Sequence, residues 1–168
     1  MTRVLVLQGP NLDLLGTREP AIYGRATLEE IHRDVAARAA ELRLEVAFFQ
    51  SNHEGALIDR LHRRDFDIAI VNAGGLTHTS VSLRDALLAV ERPFIEVHLS
   101  DPSTREPFRQ VNFLQDIAVE SIVGQGPRGY LLAVESAARL ATSARTGSAD
   151  AVVAASDAAR PDPGAADA

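Results

Sequence analysis

Two apolar runs constrain this chain more than anything else in it: Phe66-Asp67-Ile68-Ala69-Ile70-Val71, which stops at Asn72, and Pro93-Phe94-Ile95-Glu96-Val97, which stops at His98. Short apolar runs bounded by polar residues read as strands covered on both faces, the kind that builds parallel sheets. Parallel strands need helical crossovers, and the intervening segments supply them. Thr27-Leu28-Glu29-Glu30 has the form of a capping box, with Leu28, Ile31, Val35, Ala39 and Leu42 following at helical spacing. A helix is predicted from Thr27 to about Arg43. Arg3 to Gln8, ended by Gly9-Pro10-Asn11, reads as a strand and is taken as the central one. Leu44 to Gln50 gives another strand, Glu54 to Arg64 and Thr79 to Glu91 give helices, Ile117 to Val123 a fifth strand, and Gly129 to Leu140 a last helix.

The expected fold class is therefore α/β: a three-layer, doubly wound, five-stranded parallel sheet with flavodoxin-like strand order. This domain is assigned to residues 1–142. From 143 to 168 the chain turns to Ala, Asp, Ser, Gly and Pro with few large apolar residues, and a disordered tail is expected.

Composition removes several function classes. The chain of 168 residues has no cysteine, so thiol nucleophiles, disulfides and thiolate metal sites are excluded. Its formal charge is −6, and the only basic cluster, Arg60 to Arg64, reads as a solvated helix face. Nucleic acid is not an expected partner. No apolar run approaches the ~20 residues of a membrane span and no leader pattern opens the chain, so a cytoplasmic protein without membrane contact is expected.

In an open parallel sheet, ligands gather at the carboxyl ends of the strands. His98 stands at such an end, and Glu96, two residues earlier, lies on the same side of the strand. A carboxylate there fixes the imidazole's tautomer and suits it to act as a general acid; the plain alternative is a histidine satisfied by backbone. Asn72-Ala73-Gly74-Gly75 permits close backbone approach to a ligand. His78 either meets a ligand hydroxyl or caps its turn. Leu99 and Ser100 offer successive N–H groups and a hydroxyl to an anion, with Arg105 and Arg109 downstream. The aperiodic segment Leu12 to Arg25, with glycines near both ends, reads as a closing lid. Within it Arg18 either stays exposed or lowers the phenol pKa of Tyr23 from ~10 toward neutrality, making a base of it. No G-x-S-x-G elbow, Walker loop or G-x-G-x-x-G is present. His53, His78 and His98 lack metal-ligand spacing, so no metal is expected, and His32 and His62 are taken as surface residues.

The ordered set Gly9-Pro10-Asn11-Leu12, Gly16, Arg18-Glu19-Pro20, Tyr23-Gly24, Gln50-Ser51-Asn52-His53-Glu54-Gly55, Asn72 through Ser80, Arg84-Asp85-Ala86, Glu96-Val97-His98-Leu99-Ser100, Arg105 and Phe108-Arg109 resembles the type II 3-dehydroquinate dehydratases. The similarity runs from Val4 to about Leu140. It departs at Asp101-Pro102 and at Gln110-Val111-Asn112-Phe113. The resemblance implies a flavodoxin-like fold, no cofactor, assembly as a homododecamer of four trimers, and anti elimination of water from 3-dehydroquinate through an enolate. It further implies Tyr23 as base, Arg18 as its stabiliser, Asn11 as holder of a water on the enolate oxygen, and His98 with Glu96 as acid. The substrate would be bound by Asn72, His78, Leu99, Ser100 and Arg109, with Asp85 arriving from a neighbouring subunit. Two other readings stay open: a silent binding module for a cyclic polyol acid, and a dehydratase for another hydroxy-keto acid.

Overall fold

Side chains of a strand alternate between faces, and three interior strands divide their apolar residues on that rule. In the computed structural model, which describes residues 1–17 and 19–158, with the backbone alone at Pro20, Tyr23 and 145–158, the described residues form one five-stranded parallel sheet. Its strands are β1 (Thr2–Gln8), β2 (Leu44–Gln50), β3 (Ile68–Asn72), β4 (Phe94–His98) and β5 (Glu120–Val123), in the order β2-β1-β3-β4-β5. This is the expected flavodoxin-like order. The centre, however, is β3 rather than β1, which lies one place nearer the edge.

The described residues also form five α-helices: α1 (Pro20–Tyr23), α2 (Leu28–Glu41), α3 (Glu54–His62), α4 (Val81–Val90) and α5 (Arg128–Ala158). Val4, Val6, Ile68, Ile70, Ile95 and Val97 pack with Ile31, Val35, Tyr130 and Val134 on the face covered by α2 and α5. Leu5, Leu7, Ala69, Val71 and Phe94 pack with Leu57, Leu61, Leu83 and Leu87 on the face covered by α3 and α4. Two cores thus clamp one sheet. At the strand ends the same alternation decides where polar groups go: Gln8 and Asn72 continue the α2/α5 face, whereas Glu96 and His98 continue the other.

The predicted capping box is present, with Thr27 accepting from the Glu30 amide and Glu30 accepting from the Thr27 amide. Ser80 caps α4 by accepting from the Leu83 amide at 2.8 Å, and its hydroxyl also donates to Glu54 at the start of α3. Because Ser80 is buried, Ser80→Ala should lower unfolding stability by about 1–2 kcal/mol, read as a fall in denaturant midpoint at unchanged slope.

Three boundaries differ from expectation. The segment Leu12 to Arg25 contains a 3-10 turn (Leu12–Leu14) and α1 rather than irregular chain throughout. β5 begins at Glu120, because Ile117 and Ala118 turn inward against the α3/α4 core before the strand starts. The last helix runs on to Ala158, past the expected end at Leu140, through an Ala-rich stretch that favours helix. Residues 159–168 of the expected tail lie outside the described residues. Among the described residues no helix is long and apolar enough to cross a membrane.

Candidate active site

The carboxyl ends of β1, β3 and β4 open on one cavity of about 130 Å³, well under the ~300–1,000 Å³ typical of sites for drug-sized ligands. A small, compact ligand fits it. Asn11, Asn72, His78, His98, Leu99, Ser100, Arg105 and Arg109 all line it, together with Pro10, Leu12, Leu15, Gly74, Gly75 and Pro102.

Two close approaches build the floor. A Cβ at Gly9 would stand 2.3 Å from the Ala73 carbonyl oxygen, and Gly9 N–H donates to the Asn72 carbonyl at 2.8 Å. Gly74 has φ +57 and lies against the Pro10 carbonyl. Only glycine permits both loops to meet here. Asn11 follows in the left-handed region with φ 67, which asparagine tolerates. Its backbone N–H donates to Asn52 Oδ1 at 2.8 Å, the same oxygen that accepts from Gln50 Nε2. The motif Gln50-Ser51-Asn52 thus holds the loop that carries Asn11, a supporting role its position after β2 did not disclose.

Glu96 is fully buried beneath His98, whose Nε2 lies 2.7 Å from Glu96 Oε1. The expected pairing therefore exists, but Glu96 supports the cavity rather than lining it. Asn112 donates to Oε1 at 2.8 Å and Ser121 to Oε2 at 2.7 Å. Burial alone would raise the Glu96 pKa; hydrogen bonds from His98, Ser121 and Asn112 and the charge of His98 outweigh it, so Glu96 sits below its ordinary value. Asn112 and Ser121 were not predicted. Asn112 belongs to the segment that departs from the resembled pattern, which was its one visible signal.

Because Glu96 titrates lower in the folded protein than in an unfolded chain, its stabilising contribution is complete above the unfolded glutamate pKa of ~4.3 and is lost as pH falls through the folded value. The stability gap between the native protein and Glu96→Gln should therefore narrow as pH drops from 7 to about 3, measured by denaturant unfolding at each pH.

The Val111–Phe113 segment holds the other histidine. His78 Nδ1 lies 2.5 Å from the Val111 carbonyl, and the Phe113 amide donates to the Thr77 carbonyl at 3.0 Å. His78 thus turns one nitrogen to backbone and still lines the cavity. Arg109 donates to Glu106 at 2.6 Å, and Arg105 stands 3.6 Å from the same carboxylate. Glu106 titrates below its ordinary value, through its own backbone amide first and Arg109 second. Asp101 accepts from the Ser103 amide and hydroxyl at 2.9 and 2.6 Å. It caps its own turn and is absent from the lining, so this departure puts no carboxylate at the cavity wall.

Asp85 is exposed on α4 and does not line the cavity. Arg18 and the side chain of Tyr23 lie outside the described residues; α1 ends at Tyr23. His32, expected at the surface, is half-buried: it stacks on Phe48 at 4.1 Å and faces Gln8 Oε1 at 2.6 Å. Its place on an inward-leaning turn of α2 outweighs the charged residues beside it in sequence. His62 is exposed as expected. Among the described residues no three His, Cys, Asp or Glu gather as a metal site would require.

The family described as dehydroquinase class II matches residues 2–138. The 3-dehydroquinate dehydratase of Methylococcus capsulatus is 54% identical over 143 residues, covering 83% of this chain and 97% of its own. That of Sodalis glossinidius is also 54% identical over 143 residues, covering 83% and 95%. The crystal structure of type II dehydroquinase from Butyrivibrio crossotus superposes with a TM-score of 0.78 at 38% identity, covering 80% of this chain and 96% of that one.

Proposed function

Because this chain belongs to the class II dehydroquinase family, we propose that it performs its reaction as an anti elimination through an enolate, without a cofactor. The reaction itself is the dehydration of 3-dehydroquinate, and the protein is a hydro-lyase. The product is 3-dehydroshikimate, a conjugated enone.

Tyr23, kept as phenolate by Arg18, takes the proton alpha to the ketone. The C–H electron pair moves into an enolate, whose oxygen is held by a water oriented by Asn11. The oxygen's pair then reforms the carbonyl, the enolate double-bond pair becomes the alkene between the alpha and beta carbons, and the C–O pair departs with the beta hydroxyl, which His98 protonates so that it leaves as water. Glu96 stabilises the imidazolium before it gives up that proton. The substrate carboxylate rests on the Leu99 and Ser100 amides, and Asn72, His78 and Arg109 hold the ring. The observation that carries this reading is the buried Glu96–His98 pair ending β4 at a small cavity also lined by Asn11, Ser100 and Arg109. Two carbonyl-facing loops meeting at Gly9 and Gly74 keep those groups in register, as near-attack geometry demands.

Assembly as a dodecamer of four trimers belongs to the same proposal. Val81 and Leu88 are about half exposed on α4, on the helix face that also carries Asp85. Burying that face against a neighbour would bring Asp85 to the neighbour's cavity. Light scattering should give twelve chain masses; a monomer would contradict the assembly and the role of Asp85 together. The cytoplasm is the proposed location.

The reaction is tested by incubating purified protein with 3-dehydroquinate and following ultraviolet absorbance of the enone. Growth of the band at catalytic protein concentration is expected. Binding without growth would leave a silent binding module, and neither would point to another hydroxy-keto acid.

A further inference from the structure

A chain of polar side chains leads away from the cavity floor through the α2/α5 core. Asn72 Nδ2 donates to the Tyr130 hydroxyl at 3.0 Å, and Gln8 Nε2 donates to the same oxygen at 3.1 Å. Gln8 Oε1 in turn faces His32 Nε2 at 2.6 Å. Gln8 and Asn72 are register partners on neighbouring strands, so both side chains emerge together on the face where Tyr130 packs. Gln8 and Tyr130 are 0% exposed and Asn72 is 3% exposed.

Buried amides and hydroxyls are unfavourable in an aliphatic core unless paired, and here they are paired chiefly with one another. Burial raises the Tyr130 pKa to about 12, so it serves as a neutral hydroxyl and not as a proton source. What the chain does supply is orientation. Asn72 Oδ1 accepts from the Gly74 amide at 3.2 Å while Nδ2 is held by Tyr130. With both ends of the amide engaged, its oxygen and nitrogen cannot exchange places, and one N–H and one lone pair remain for a ligand. Without the Tyr130 hydroxyl only the Gly74 contact would hold it.

We propose that Tyr130, Gln8 and His32 are positioning residues that set the direction in which Asn72 presents its amide to the substrate. The inference rests on Asn72 being a substrate contact, as read above. A contact made equally in the ground state and the transition state appears in KM and not in kcat. Losing one hydrogen bond's worth of orientation should therefore raise KM without slowing the chemical step.

The test is steady-state kinetics on Tyr130→Phe, Asn72→Ala and the double variant. Tyr130→Phe keeps the ring and deletes the shared oxygen. It should raise KM for 3-dehydroquinate by about tenfold with kcat within about twofold. Asn72→Ala should raise KM at least as much, and Tyr130→Phe should add nothing further in that background, since a residue acting only through Asn72 cannot be felt once Asn72 is gone. His32→Phe, which preserves the stack on Phe48, should raise KM by about two- to threefold and carries the same test from the half-buried end if Tyr130→Phe fails to fold. A merely structural role would lower the melting temperature and leave KM alone, or shift KM equally with and without the Asn72 side chain; either result overturns the inference. Asn72→Ala with unchanged KM overturns the substrate contact and the inference with it. Asn72→Ala with raised KM beside Tyr130→Phe with unchanged KM overturns the inference only.

Discussion

Tyr23→Phe is expected to lower turnover of 3-dehydroquinate by about 10²–10⁴-fold, while substrate affinity changes by no more than about threefold. The ring stays and the basic oxygen goes. A proton alpha to a ketone is only weakly acidic, so its removal needs a positioned base, the part proposed for Tyr23. His98, tied to Glu96 through Nε2, is proposed as the acid, and His78 turns Nδ1 to the Val111 carbonyl. The measurement is kcat by enone absorbance together with a direct binding titration of substrate. Near-native kcat would remove Tyr23 from the chemistry, and lost binding would make it a contact rather than a base.

His98→Ala should cost about 10²–10⁴-fold in kcat, and Glu96→Gln a smaller part of that loss. The second variant is the sharper of the two. Asn112 and His98 meet Oε1 of Glu96, whereas Ser121 alone meets Oε2. A glutamine can keep its oxygen toward the first pair and turn its nitrogen to Ser121, whose hydroxyl accepts as readily as it donates. The hydrogen bonds survive and only the charge is lost. The deficit in kcat then reports what the carboxylate contributes electrostatically to His98 as the proposed acid, and the alkaline limb of the pH–rate profile, where an acid loses its proton, should move to lower pH. Glu96→Gln with unaltered kcat and profile would reduce Glu96 to a packing element.

Much of this site was legible in the sequence because it stands on strand ends. The apolar runs ending at Asn72 and His98 give β3 and β4 their boundaries, and the two-residue repeat of a strand puts Glu96 beside His98 before any coordinates are known. Capping chemistry did the same for Thr27 and Glu30. What escaped was long-range. Gln8, Asn72 and Tyr130 meet only because β1 and β3 are neighbours and α5 returns across them, over 122 residues of chain. His32 looks solvated among Arg33 and Asp34, yet the helix phase turns it toward Gln8. Ser121 reaches Glu96 from the neighbouring strand β5 and Asn112 from a loop, and nothing local marks either as a carboxylate donor. The end of α5 was missed for the opposite reason: Ala, Ser and Asp are compatible with both helix and tail, and local composition does not choose between them.

The proposed elimination sets a base and an acid on opposite faces of one bound ring. Its most direct test uses 3-dehydroquinate carrying deuterium at the carbon alpha to the ketone, on the face opposite the leaving hydroxyl. Product without deuterium, formed with a primary isotope effect, is the expected result. Product that retains the label would mean removal of the proton from the same face as the hydroxyl, and the arrangement of Tyr23 and His98 proposed for this site would be wrong.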